Sequence, residues 1–115
     1  MKKRVLVMNG SRIVQSDNGE GWSSEKVEKA GSLKAGIYNI YTASPADKKQ
    51  PSAGVIVHAD KDSVYQQCGK KFIVHSRKDF DIVAPIGSAK SIEYKADGRA
   101  EVSDSSIKQS RSRSR

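Results

Sequence analysis

Short apolar runs closed by turn-forming dipeptides punctuate this chain. Lys3 to Met8 is rich in Val and Leu and stops at Asn9-Gly10, and Ser11 to Gln15 then centres on Ile13 and Val14. Asn-Gly tolerates positive φ at both central positions of a two-residue turn, so the two runs predict a β-hairpin. Asp17 to Gly21 carries no apolar side chain and reads as loop. Trp22 to Gly31 reads as one or two helical turns, centred on Ser24 to Ala30. Ser23 or Ser24 suits the N-cap, Glu25 the positive end of the dipole and Gly31 the stop, with Trp22 and Val27 as a hydrophobic staple. A helix this short depends on packing for its stability.

Gly36 to Thr42 is β-branched and aromatic and predicts a strand. Ser44 to Ser52, with Pro45 and Pro51, reads as a long surface loop. Val55 to His58, Ser63 to Cys68 and Phe72 to His75 follow, divided by Asp60-Lys61-Asp62 and Gly69-Lys70, as in an antiparallel meander. Arg77 to Phe80 suits a single helical turn. Ser91 to Lys95 and Arg99 to Ser103, joined through Asp97-Gly98, predict a closing hairpin. About seven short strands at this spacing, with one short helix, predict a mainly β, single-domain antiparallel barrel of SH3-like or Greek-key type. Closure is expected because an open edge like Val55-Ile56-Val57 would be sticky.

With 115 residues the chain has room for one small domain. The expected boundaries are 1–103 for the β-rich domain and 104–115 for a disordered, basic Ser/Arg-rich tail. Lys2-Lys3-Arg4 resembles the start of a signal peptide, but only Val5 to Met8 follow before Asn9-Gly10, too few for its apolar region. No run approaches a membrane span, and the expected location is the cytoplasm. A single cysteine excludes an internal disulfide and a Cys-based zinc cage. The net charge of +8 leans toward an anionic partner. Half of that excess sits in Lys108, Arg111, Arg113 and Arg115.

Candidate chemistry is sparse. His58 and His75 end two similar runs, Val55-Ile56-Val57-His58 and Phe72-Ile73-Val74-His75. Flanking a shared middle strand, they would sit roughly 9–10 Å apart at the backbone, without a third ligand nearby, so no metal site is expected. Cys68 has Lys70 and Lys71 nearby but no catalytic signature around it, and reads better as a half-buried strand residue than as a nucleophile. Nucleophile-elbow, paired-histidine and phosphate-loop motifs are all missing, so neither an enzyme nor a cofactor is indicated. The candidate nucleic-acid contacts are Lys70, Lys71, Arg77, Lys78, Lys108, Arg111, Arg113 and Arg115, which neutralise phosphates without reading bases. Tyr38, Tyr41, Tyr65 and Phe72 suit either a stacking surface or the core, and the core is the favoured reading.

Gly36-Ile37-Tyr38-Asn39-Ile40-Tyr41, the stretch Val55 to Gln67, His75-Ser76-Arg77, Ile86-Gly87 and the stretch Ile92 to Arg99 together resemble the KfrB domain. The resemblance covers most of residues 36–102, and Val64-Tyr65-Gln66-Gln67, His75 and Ile92-Glu93-Tyr94 are its most telling pieces. It implies a plasmid accessory function in conjugative transfer or stable inheritance, with plasmid-encoded segregation or transfer proteins as partners. It brings no catalytic residues. A non-enzymatic protein-interaction module is the expected function, and a weak, sequence-independent nucleic-acid binder using the tail and the Lys70 hairpin is the alternative. If all four tail cations engage duplex phosphates, the log–log salt slope has a magnitude of about 3.6 from the tail alone. Replacing Arg111, Arg113 and Arg115 by Ser is expected to flatten that slope by roughly 2–3, measured by salt titration of duplex binding.

Overall fold

In a computed structural model that describes residues 2–31 and 33–104, two largely antiparallel sheets pack face to face. The first sheet starts from the expected hairpin. β1 (Lys2–Met8) and β2 (Ser11–Asp17) pair from Lys2↔Asp17 to Met8↔Ser11. Asn9 and Gly10 adopt φ of 51° and 78°, the left-handed pair that a two-residue turn demands. β3 (Trp22–Lys29) joins β2 and β4 (Gly36–Tyr38) joins β1, giving the order β3-β2-β1-β4.

The helix expected over Ser24–Ala30 is thus an edge strand. This polar segment has no apolar stripe for a helix to bury, and it is too short to stand alone. Pairing with β2 satisfies its backbone instead and sets Glu28 opposite Arg12 and Val27 opposite Ile13. Trp22 does not staple to Val27, because its ring lies 4.1 Å beneath the Arg4 guanidinium. The strand expected over Gly36–Thr42 stops at Tyr38, and Ile40–Thr42 winds into a 3-10 turn that buries Ile40.

The second sheet comprises β5 (Ser44–Pro45), β6 (Ser52–Ala59), β7 (Ser63–Cys68), β8 (Lys71–Ser76), β9 (Ala89–Tyr94) and β10 (Ala100–Asp104). Its order is β10-β9-β6-β7-β8-β5. The β6-β7-β8 meander and the β9–β10 hairpin match the expectation, with Gly98 at φ 85° in the turn. Within the expected Ser44–Ser52 loop, β5 makes a two-residue parallel pair with β8. Arg77–Asp79 forms a 3-10 turn, after which the chain crosses the sheet's outer face and returns so that β9 pairs with β6.

Alternation along the strands assigns the two cores. Val5, Val7, Tyr38, Ile40, Val55 and Val57 fill the space between the sheets. Ile56, Val64 and Ile92 face the other way and are covered by Phe80, Val83, Ala84 and Ile86 of the crossing segment. Burial on both faces explains why β6 reads as a continuous apolar run.

The expected barrel is not closed. Among the described residues each sheet keeps its own two edges, and no strand runs from one sheet into the other. The chain passes between them through the 3-10 turn at Ile40–Thr42, which leads from the end of β4 at Tyr38 to the start of β5 at Ser44. Asp104 belongs to β10 and pairs with Lys90, so the strand outlasts the expected boundary at 103 by one residue. The expected tail beyond it, with Lys108, Arg111, Arg113 and Arg115, lies outside the described residues.

Gly54 marks the tightest point of the meander. A Cβ there would stand 2.0 Å from the Gln67 carbonyl oxygen and 2.8 Å from its carbon, both backbone atoms. Gly54→Ala is expected to cost about 3 kcal/mol or more, since neither strand can retreat without breaking its ladder. Gly98→Ala, in open space but at positive φ, is expected to cost about 1–2 kcal/mol. Thermal melting of the two variants checks the difference.

Candidate functional site

The buried polar residues fall into two groups on opposite faces of the second sheet. On the outer face, Gln66 of β7 is fully buried and uses its whole amide. Its Nε2 donates to the carbonyls of Ser52 and Lys90, each at 3.0 Å. Its Oε1 lies 3.0 Å from His75 Nε2. An amide oxygen only accepts, so the His75 proton sits on Nε2 and Nδ1 accepts from the Tyr94 hydroxyl at 2.8 Å. Phe80 stands edge-on to the imidazole and Tyr94 stacks on it. Burial lowers the His75 pKa to about 4 and raises that of Tyr94 to about 12. The relay is neutral, saturated and enclosed, which makes it a structural device rather than a reactive one.

On the inner face, a register shift between Ile56 and His58 turns both Val57 and His58 toward the first sheet. Arg12 of β2, only 7% exposed, donates from Nη1 to His58 Nδ1 at 3.1 Å and pairs through Nη2 with Glu28 of β3. Burial first, and the Arg12 charge second, lower the His58 pKa to about 4. The two histidines are partners of the consecutive residues Tyr65 and Val64 on β7, and therefore project from opposite faces. Among the described residues, no three His, Cys, Asp or Glu side chains are grouped to hold a metal. The Cys68 thiol is pushed up to about 11 by burial, away from the thiolate a nucleophile needs.

The candidate phosphate contacts do not form one patch. Lys70 and Lys71 are exposed at the β7–β8 turn, whereas Arg77 and Lys78 follow the far end of β8. Six residue steps at ~3.3 Å separate Lys71 from Arg77 by roughly 20 Å. Arg77 instead donates to the Asp60 carbonyl at 2.6 Å and borders a cleft with Lys3, Lys26 and Lys61. None of those three lysines stood out in the sequence, because they come from separate segments that only the packing of the sheets brings together. Of the four candidate aromatics, Tyr38 is buried and Tyr65 and Phe72 pack on the core, while Tyr41 stays 44% exposed. No helix among the described residues is long and apolar enough to cross a membrane.

Comparison with known sequences gives a match to the KfrB domain family over residues 52–104. This chain carries a KfrB domain. The match begins with β6 and ends with β10, so the KfrB domain contains the whole Gln66–His75–Tyr94 relay. The chain is also similar to Protein TraB of Escherichia coli, 35% identical over 95 residues. That alignment covers 79% of this chain and 64% of TraB, which leaves more than a third of TraB's length unmatched. It is longer than the segment from residue 52 to the C-terminus, so it takes in part of the sequence before the KfrB domain as well. Among the pieces that carry the resemblance, Gln66 and His75 are buried in this sheet and Tyr94 is half-buried.

Both histidines are held neutral at pKa values near 4, below the ordinary 6.5. Unfolding restores the ordinary value, so between pH 6.5 and 4 the unfolded chain binds more protons than the folded one. The stability they contribute is complete above pH 6.5 and is lost as the pH falls toward 4, by roughly 2–3 kcal/mol per histidine. Denaturant melts across that window are expected to show this loss, and a His75→Gln variant about half its slope.

Proposed function

We propose that this protein is a plasmid accessory factor acting in conjugative transfer or stable inheritance, and that it works as a non-catalytic module docking a plasmid-encoded protein partner. The KfrB match and the similarity to TraB support the plasmid setting. One surface carries the docking reading. On the outer face of the first sheet, the register aligns Val27, Ile13, Leu6 and Ile37 in a row across all four strands. Val27 and Ile37 are 63% and 62% exposed, and Met8 adds to the same face. A continuous apolar row on a solvent-facing sheet is a feature of interaction surfaces.

Charge frames the row. Arg4 and Lys2 lie toward one end beside Trp22 and Tyr41, and Lys29 borders the other on β3. A partner that offers apolar side chains among acidic ones complements it. The face lies on the first sheet, outside the KfrB match, so the docking role falls to the segment that the domain model does not describe. The nucleic-acid alternative through the Lys70 hairpin is disfavoured by the distance between its two halves.

The double substitution Val27→Lys, Ile37→Lys alters two exposed side chains and is expected to leave the melting temperature within a few degrees of the parent. Transfer frequency or plasmid retention, measured in cells carrying the plasmid with this variant, is expected to fall about tenfold, the consequence of losing ~1.4 kcal/mol at a docking surface. Unchanged transfer and retention with a stably folded variant would remove the basis for this role.

A further inference from the structure

Two clefts adjoin at one end of the two-sheet stack, on either side of Lys3 and Asp60, which line both. The larger, of about 430 Å³, is bordered by Lys3, Lys26, Lys61 and Arg77, with His58 at its wall. These cations come from β1, β3, the β6–β7 turn and the 3-10 turn after β8. Glu25 and Asp60 line the cleft beside them, and Glu28 stands 3.7 Å from the Lys26 ammonium. Lys3 is 3.9 Å from Glu25, and Asp60 already spends its Oδ1 on the N–H groups of Asp62 and Ser63. The cleft therefore retains positive charge.

His58 adds a polar wall. Arg12 only donates, so His58 Nδ1 must accept and the ring proton sits on Nε2. In that tautomer His58 carries its N–H on Nε2, and its ring forms part of the cleft wall. Behind it lies the buried Arg12 cation, whose Nε has no hydrogen-bond partner among the described residues. Glu28 already balances that charge through Nη2, so the excess in the cleft is carried by Lys3, Lys26, Lys61 and Arg77.

The second cleft, of about 390 Å³, is different in character: Tyr41, Tyr65, Ile40 and Val74 border it, with Lys2 at its rim. The Lys2 ammonium lies 5.3 Å from the Tyr41 ring centre. A cationic pocket continuous with an aromatic one suits a ligand that joins a phosphate to a flat ring.

We propose that this paired cleft binds nucleotide units of single-stranded nucleic acid, with a phosphate among Lys3, Lys26, Lys61 and Arg77 and an adjoining base against Tyr41. A stacked base and a neutralised phosphate are the two elements of sequence-tolerant single-strand binding. A duplex hides its base faces and uses only the cationic half. This site goes beyond the docking role: it shares Lys2 and Tyr41 with the frame of the docking face but no residue of the aliphatic row.

The test uses the full-length chain and a short fluorescein-labelled oligothymidylate, followed by anisotropy at low salt. Lys61→Glu and Tyr41→Ala are each expected to weaken binding about tenfold or more. The double change Lys70→Glu, Lys71→Glu, equal or greater in charge but at the opposite turn, is expected to weaken it less than threefold. Thymidine monophosphate and the unlabelled strand are expected to compete, the strand more strongly, and both to shift the His58 imidazole resonances. Melting curves confirm that each variant is folded, and Lys26→Glu on the exposed edge strand serves if Tyr41→Ala is not. Losses no larger than those of the Lys70, Lys71 variant would overturn the proposal, as would duplex competing as well as single strand. Displacement by polyglutamate as readily as by unlabelled strand would assign the cleft to acidic polypeptide and overturn it too.

Discussion

One buried glutamine governs the second sheet. Gln66 has no access to water, and its amide is satisfied only if β6, β7, β8 and β9 take their observed places. A one-residue slip of β7 would swing the amide onto the inner face among Val5, Val55 and Val57, where nothing could accept its protons. The desolvation penalty for even one such orphaned group is about 1–3 kcal/mol, a large share of a small domain's stability. The relay through His75 to Tyr94 extends the same demand to the far side of the sheet. Hydrophobic burial drives these strands together, and the relay selects the register in which they meet.

The inner face solves a different electrostatic problem. Arg12 is a charge placed between two sheets, balanced by Glu28 from the edge and by a histidine that accepts rather than competes. That arrangement joins the first sheet to the second through a polar contact inside an otherwise apolar interface. It also explains β3: a segment with good helix-capping residues becomes a strand because Glu28 is needed opposite Arg12 and β2 offers a full ladder. Local propensity is worth tenths of a kcal/mol per residue there, and it yields to the pairing.

Much of the secondary structure was legible because its signals are local. Asn9-Gly10 and Asp97-Gly98 each force a turn through their own backbone preferences, and the alternation around β7 and β8 needs no distant partner. The resemblance to the KfrB domain was legible through the order and spacing of segments that include Gln66, His75 and Tyr94, although the hydrogen bonds among those three were not. The candidate site was legible only in part. Arg77, Tyr41 and Tyr65 were singled out, but in the company of Lys70, Lys71 and two aromatics that the fold sends elsewhere.

Sequence alone determined a β-rich chain with two sharp hairpins, a central meander and a basic balance, because each of these follows from neighbours within a few residues. Tertiary structure decided the rest. It made two open sheets where a barrel was expected, since a 3-10 turn separates the ladders. It turned the two histidines to opposite faces, since their partners on β7 are consecutive. It also gathered Lys3, Lys26, Lys61 and Arg77 around one cleft, since only the stacking of one sheet on the other brings residues so far apart in the chain within reach of a single anion.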